Sequence, residues 1–185
     1  MKIGVYGSSG GDLTQNKIKK KAREIGREIA RKGHILITGA CPGLPYDAVL
    51  GAAELDGKVI GFSPATDLKT HIKRDKFPTK GFTEIIFIPK SYKYANNSSV
   101  CRKFRNVSSV AEIDAVVIIG GRTGTMNEFT IAYDFGKNIG VLERSGGITD
   151  RTIKTLLKDI DKKGAKIIFD PNPVSLIDKL IKLQK

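Results

Sequence analysis

Tryptophan is absent from this chain of 185 residues, and aromatic residues make up only 7% of it. The core must therefore be built from Ile, Val, Leu and Ala. The two cysteines, Cys41 and Cys101, lack metal-ligand spacing, and we expect two buried thiols in a reducing compartment. No apolar run is long enough to cross a bilayer, and Lys2-Ile3-Gly4-Val5 is typical of a strand rather than of a signal peptide. These absences predict a cytoplasmic protein that makes no membrane contact.

Positive charge exceeds negative charge by 13, with 32 Lys and Arg against 19 Asp and Glu. Such an excess indicates an anionic partner, such as a nucleotide or nucleic acid, or the Lys-rich surface of a heat-adapted protein. The lysines are spread over several predicted helices, and no arginine-rich arm occurs, so nucleic acid is the less favoured partner. If nucleic acid binds, we expect it at the basic segment 63–81, which has no periodic pattern and is predicted to be a surface loop or lid. Because the segment is predicted to be a loop, His71 is expected to be a loop residue without a catalytic role.

Strands and helices alternate along the chain. Apolar runs at 2–6, 34–38, 58–62, 83–88, 115–119, 140–142 and 166–169 predict strands, and helical patterns predict helices at 14–32, 45–55, 98–111, 127–135, 149–163 and 173–183. The alternation predicts a single α/β domain over residues 1–185. Its expected architecture is Rossmann-like: a doubly wound, mostly parallel sheet with helices on both faces.

Three glycine-bearing turns, at 7–11, 39–43 and 120–124, follow predicted strands. In a doubly wound sheet such turns lie at the carboxyl ends of the strands, where ligands bind. Glycine lets the backbone approach a phosphate, and the next helix presents free N–H groups at its positive end. The alternative interpretation is that these glycines only allow the chain to turn tightly from strand to helix. Neither the P-loop motif nor the dinucleotide-binding motif is present. We expect the first two turns to contribute Gly7, Ser8, Ser9 and Gly43 to a ligand site.

The third turn carries the residue types best suited to a ligand. It reads Gly120-Gly121-Arg122-Thr123-Gly124-Thr125 and continues into Met126-Asn127-Glu128. Thr125 and Glu128 match a capping box, so the carboxylate has a purely structural interpretation. The alternative is that Glu128 faces a ligand beside the basic helix that precedes it. Arg102 and Arg105 lie three residues apart on one face of that helix.

The segment Ser99-Val100-Cys101-Arg102-Lys103 and residues 119–128 together resemble the paired signature of the LOG family. These enzymes are cytokinin riboside 5′-monophosphate phosphoribohydrolases, once called lysine decarboxylases, and they couple M-x-x-R-K with P-G-G-x-G-T-x-x-E. Gly43-Leu44 and residues 58–64 are similar to two further motifs of the family. Ser99 replaces Met, Ile119 replaces Pro, and two residues, Arg122 and Thr123, stand where the family has one. These departures resemble a neighbouring branch that includes molybdenum-cofactor carrier proteins.

The resemblance to LOG enzymes implies hydrolysis of the N-glycosidic bond of a nucleoside 5′-monophosphate, without a metal or an organic cofactor. It implies that Glu128 stabilises an oxocarbenium-like transition state and that Arg102 pairs with Glu128 or with the substrate. The resemblance to carrier proteins implies the alternative, a non-catalytic binder of a nucleotide or molybdopterin. The resemblance to LOG enzymes also implies a homo-oligomer, a dimer or larger. The expected phosphate- and nucleotide-binding residues are Gly7, Ser8, Ser9, Gly43, Lys103, Gly120, Gly121, Arg122, Thr123, Gly124 and Thr125.

Overall fold

A computed structural model describes residues 1–11, 15–160 and 164–183 of the chain. Seven strands form one sheet in the order β4-β3-β2-β1-β5-β6-β7, and each neighbouring pair is parallel. The doubly wound α/β fold predicted from the sequence is therefore confirmed. The strands are β1 (Lys2–Gly7), β2 (Ile35–Thr38), β3 (Val59–Phe62), β4 (Glu84–Ile86), β5 (Ala115–Ile119), β6 (Asn138–Leu142) and β7 (Ile167–Asp170).

The helices cover both faces of the sheet. Along β1, Ile3 and Val5 point into one core, with α1, α2 and α7, while Tyr6 points into the other, with α4, α5 and α6. This division follows from the alternation of side chains along a strand. In the described part of the chain no helix is both long and apolar enough for a membrane span. The helices are α1 (Asn16–Arg31), α2 (Leu44–Ala53), α3 (Leu68–Lys73), α4 (Ser98–Ala111), α5 (Thr123–Asp134), α6 (Thr152–Leu156) and α7 (Pro173–Lys182).

The strand order reverses between β1 and β5, which lie side by side in the centre of the sheet. Gly7 at the end of β1 is paired with Ile119 at the end of β5. The Ser8 N–H continues the contact by donating to the Ile119 carbonyl at 3.2 Å. The two turns that follow these strands therefore leave the sheet together, at the place where doubly wound proteins bind ligands.

Several predicted boundaries differ from the structure. Helix α5 begins at Thr123, four residues before the predicted start, and α6 ends at Leu156 after a short 3-10 turn at Gly147–Thr149. The prediction of an unpatterned loop at 63–81 is wrong in its central part, which forms α3 and buries His71 completely. The predicted start of the first helix at residue 14 and the predicted end of the fifth predicted helix at residue 163 lie outside the described residues.

Candidate functional site

A cavity of about 450 Å³ opens at the carboxyl ends of β1 and β5. Its lining comes from the turns after β1 and β2, from one face of α4, from the first turns of α5, and from Phe77 in the connection between α3 and β4. Parts of the sequence that are far apart therefore meet at the switch point of the sheet. Most of the residues predicted to bind a ligand lie in or directly behind this lining.

The turn after β2 supports the turn after β1 by direct backbone contact. Gly43 has a φ of +90°, and a side chain there would collide with the Ser8 carbonyl and the Ser9 backbone. The Leu44 N–H donates to the same Ser8 carbonyl at 2.8 Å. Only glycine combines this conformation with so close an approach. Gly43 thus shapes the cavity from behind, whereas Ser8 and Ser9 line it.

The glycine pair at the end of β5 is held by two serine hydroxyls. The Gly121 N–H donates to Ser8 Oγ at 2.8 Å, and the Gly120 N–H donates to Ser145 Oγ at 2.8 Å. Both glycines have positive φ values, 59° and 97°. Because their N–H groups already have partners inside the protein, they are not free for a phosphate, contrary to the expectation for Gly121. Their role is to turn the chain into α5.

The first turn of α5 presents unbonded N–H groups to the cavity. The first hydrogen bond of the helix runs from the Met126 N–H to the Arg122 carbonyl at 2.9 Å, so the N–H groups of Thr123, Gly124 and Thr125 precede the helical ladder. Gly124 and Thr125 line the cavity. Thr125 lies inside the helix rather than at its cap, so the predicted capping box is wrong. This helix end suits an anion.

Glu128 lies one turn further along α5 and forms a buried ion pair with Arg105 of α4. Arg105 Nη1 donates to Glu128 Oε1 at 2.9 Å, and the two side chains are only 10% and 8% exposed. The Arg105 guanidinium also lies directly over Gly39, where a side chain would collide with it. Arg102, for which the LOG resemblance implies pairing with Glu128 or with the substrate, is exposed and lines the cavity one helical turn away. The arginine that pairs with the carboxylate is therefore Arg105.

The environment of Glu128 favours its neutral form more than water does. Burial raises the pKa of this carboxyl group to about 7, although the charge and the hydrogen bond of Arg105 and the charge of Lys103 act in the opposite direction. A carboxyl group whose pKa is near neutrality exchanges protons readily under physiological conditions. Carboxyl groups whose pKa is displaced in this way are frequent at active sites, which makes Glu128 a candidate functional residue.

The rest of the cavity is cationic. Arg102, Lys103 and Arg122 are exposed in its lining, and Glu128 is the one carboxylate among the described lining residues. The Arg122 guanidinium packs beside Gly11, because a Cβ on this glycine would lie 2.9 Å from Arg122 Nη2. This places a positive charge next to the open end of α5. Thr123 is exposed and lies outside the lining.

Besides Arg105, four lining residues are absent from the predicted site: Cys41, Pro42, Phe77 and Asn106. Cys41 is half-buried in the cavity wall instead of fully buried, and burial raises the pKa of its thiol. Asn106 joins α4 to α5 through a 2.8 Å bond from its Nδ2 to Asn127 Oδ1. Phe77 enters the cavity from a segment without periodicity. Cys41 and Pro42 lie in the second glycine-bearing turn, and Asn106 directly follows Arg105, so these three had a signal in the sequence. Phe77 had none.

Fold and site together define a Rossmann-like α/β protein with a cationic cavity at its switch point. The chain belongs to the SLOG cluster4 family, whose family model matches residues 1–177. An uncharacterized protein of Archaeoglobus fulgidus is 31% identical to it over 143 residues, which cover 77% of this chain and 80% of the relative.

Solved structures show the same fold at low sequence identity. The protein TM1055 superposes with a TM-score of 0.79 and 23% identity over 98% of each chain. The molybdenum cofactor binding protein from Rippkaea orientalis gives a TM-score of 0.72 and 24% identity, covering 98% of this chain and 95% of the other. DNA processing protein A from Helicobacter pylori gives 0.66 and 21%, covering 98% and 80%. These likenesses establish a SLOG-type architecture.

Proposed function

We propose that the protein binds a nucleoside 5′-monophosphate in this cavity and hydrolyses its N-glycosidic bond, with Glu128 as the reacting carboxylate. The observation that carries the proposal is the buried pair of Arg105 and Glu128 in the lining of a cationic cavity. A carboxyl group with a pKa of about 7 is suited both to accept a proton from water and to face a developing positive charge.

The phosphate belongs at the open end of α5. The N–H groups of Gly124 and Thr125 precede the first hydrogen bond of the helix, and the helix dipole adds favourable potential for an anion. Arg122, Arg102 and Lys103 surround this point with positive charge. Glu128 follows one turn later along the same helix. A bound phosphate and Glu128 would therefore be separated by a distance suited to a ribose.

The reaction breaks the bond between C1′ of the ribose and the nitrogen of the base. The oxygen of a water molecule attacks C1′, and the bonding electron pair leaves with the base. The ionised Glu128 accepts a proton from the water and stabilises the oxocarbenium-like transition state by its charge. The base then takes up a proton from Glu128 or from solvent, and ribose 5-phosphate is the second product.

Arg105 acts in this scheme as a positioning residue. Its 2.9 Å hydrogen bond fixes the carboxylate, and its positive charge keeps the pKa of Glu128 from rising further. Preorganisation of this kind matters because a group that must reorient during the reaction loses much of its electrostatic benefit. Of the two partners that the resemblance implies for Arg102, Glu128 and the substrate, this scheme assigns it the substrate, at the phosphate.

Incubation of the protein with AMP, GMP, CMP and UMP tests the proposal. Chromatography of the products should show free base together with an equal amount of ribose 5-phosphate. Glu128→Gln should lower the rate at least about a hundredfold while AMP binding is retained, because the amide keeps the shape of the side chain and cannot accept the proton. If no monophosphate is cleaved, or if Glu128→Gln is as active as the natural protein, the hydrolase proposal fails.

A non-catalytic carrier of a phosphorylated ligand is the second candidate. Two observations favour it: the three exposed cations of the lining outnumber its single carboxylate, and the similar protein from Rippkaea orientalis is a molybdenum cofactor binding protein. Calorimetric titration with AMP, combined with the product assay, separates the two candidates. A carrier binds without turnover and loses its affinity when Arg122 is replaced by Gln.

The partners expected from the sequence stay predictions. A homo-oligomer would bury Val107 of α4 and Phe135 just after α5, which are 46% and 49% exposed, and light scattering measures the mass directly. Nucleic acid stays the less favoured partner, although a DNA processing protein shares the fold. If it does bind, its affinity should fall steeply between low and physiological salt.

A further inference from the structure

Phe77 differs in chemistry from the rest of the cavity lining. Among the described lining residues it is the one aromatic side chain, and its neighbours there are mainly polar, charged or small. It comes from the connection between α3 and β4, whereas the proposed phosphate site comes from α4 and α5. The cavity thus has a cationic part and, on a separate segment, an aromatic ring.

The backbone around Phe77 is fixed by the buried His71. The Phe77 N–H donates to the His71 carbonyl at 3.1 Å. His71 Nε2 lies 3.0 Å from the Pro78 carbonyl, which can only accept, so this nitrogen carries the proton. His71 Nδ1 is then the acceptor for the Ser63 hydroxyl at 2.9 Å. The fully buried His71 therefore connects the Phe77 N–H and the Pro78 carbonyl to Ser63, the residue that follows β3.

The chain turns sharply just before Phe77. Lys76 has a φ of 53°, in the left-handed region that residues other than glycine seldom adopt. Strained backbone of this kind persists where the surrounding structure holds it, and it is often found at functional sites. The turn brings the Phe77 ring against His71, with ring centroids 5.6 Å apart and planes at 86°. The ring is therefore placed in the cavity wall by a segment whose backbone is hydrogen-bonded to His71 on both sides of the ring.

We propose that Phe77 stacks against the base of the bound nucleotide and so restricts the substrate to phosphorylated compounds with a planar aromatic ring. This inference rests on the proposed function. Stacking on an aromatic side chain contributes substantially to nucleotide affinity and tolerates different bases, because every base has a π-face. The cavity volume of about 450 Å³ lies in the range of small-molecule sites. A sugar phosphate without a base would leave Phe77 without a partner.

Phe87 supplies a matched control for the purely structural role of Phe77. Its ring also contacts His71, at 6.1 Å between centroids and 80° between planes, but it is absent from the cavity lining. If Phe77 served only to pack against His71, replacing either phenylalanine would have similar consequences. If Phe77 contacts the base, the two replacements differ in their effect on ligand binding.

Calorimetric titration with AMP and with ribose 5-phosphate tests the inference on four proteins: the natural chain, Phe77→Leu, Phe77→Tyr and Phe87→Leu. Phe77→Leu should weaken AMP binding about tenfold and ribose 5-phosphate binding less than about twofold, whereas Phe77→Tyr and Phe87→Leu should leave both affinities nearly unchanged. Equal losses for the two ligands, or equal effects of Phe77→Leu and Phe87→Leu, would overturn it.

The natural chain alone separates this inference from the proposed function. If it binds AMP no more tightly than ribose 5-phosphate, stacking is refuted while the phosphate site stands. If it binds neither compound, the proposed nucleotide site fails and the stacking inference fails with it.

Discussion

The carboxylate of Glu128 is paired with Arg105, and the Nη1–Oε1 distance of 2.9 Å joins α4 to α5 behind the proposed phosphate site. Removing one partner of a buried ion pair leaves the other without compensation, at a cost of about 3–5 kcal/mol. We therefore expect Arg105→Gln to lower the free energy of unfolding by several kcal/mol. The loss should be smaller below pH 7, where Glu128 takes up a proton. Urea denaturation at pH 6 and pH 8 measures it.

Arg102→Gln is the matched control, since Arg102 lies on the same helix and is exposed. Its free energy of unfolding should change by less than about 0.5 kcal/mol, while its affinity for AMP falls because a cation is removed from the phosphate site. Equal destabilisation by the two replacements would show that the buried pair has no special part in stability.

The pKa of Glu128 predicts the pH dependence of cleavage. Because burial raises this pKa to about 7 and the reaction needs the ionised carboxylate as base, the rate should rise through pH 7 and then level off. Arg105→Gln should move the midpoint to higher pH, because the positive charge that lowers the pKa is removed. A rate profile on AMP from pH 5 to 9 measures both effects. A rate that falls through pH 7 would instead identify the protonated form as the active one.

The raised pKa of Glu128 also affects stability. The folded chain retains the proton of Glu128 up to about pH 7, whereas the unfolded chain releases it near pH 4.5. The contribution of this group therefore favours folding at low pH and is lost as the pH rises from the unfolded to the folded value. Glu128→Gln should remove that dependence, which urea titrations of the two proteins between pH 4.5 and 8 compare. An unchanged slope in the variant would contradict the shift.

Ser8 and Ser9 are neighbours with different predicted roles. Ser8 Oγ accepts the Gly121 N–H at 2.8 Å in a buried position, whereas Ser9 is exposed. Ser8→Ala leaves the Gly121 N–H unpaired, at a cost of about 1–3 kcal/mol, and Ser9→Ala should be nearly neutral. Thermal unfolding by circular dichroism distinguishes them. Equal melting temperatures would mean that the hydroxyl does not hold the glycine pair.

Asp170 predicts a loss of stability in acid. Burial acts to raise the pKa of this carboxyl group, but hydrogen bonds from Lys179, Ser175 and the Asn172 N–H outweigh it and hold the pKa at about 2. Its contribution, roughly 2 kcal/mol, is present above the unfolded value of 3.8 and is lost as the pH falls toward 2. Asp170→Asn should be less stable than the natural chain at pH 6 and should differ little at pH 2. An equal deficit at both pH values would rule out this linkage.

Local patterns were enough to predict some elements completely. The bounds of α4, Ser98–Ala111, and of β5, Ala115–Ile119, are those predicted, because an amphipathic period and an unbroken apolar run are strong local signals. The start of α5 was missed, since residues 123–126 are helical without an apolar pattern.

The partner of Glu128 and the aromatic wall depend on long-range packing. Arg102 and Arg105 share one helical face, so their spacing does not decide which guanidinium is buried; the rotation of α4 against α5 decides it. Phe77 lies in a non-periodic segment whose position is set by the buried His71. Contacts between segments that are distant in sequence cannot be predicted from the spacing of residues along the chain.

A crystal structure of Glu128→Gln in complex with AMP tests the central claim most directly. We expect the phosphate within hydrogen-bond distance of the Gly124 and Thr125 N–H groups, C1′ of the ribose next to the amide introduced at position 128, and the adenine against Phe77. A nucleotide bound outside the cavity, or one whose phosphate points away from α5, would contradict it.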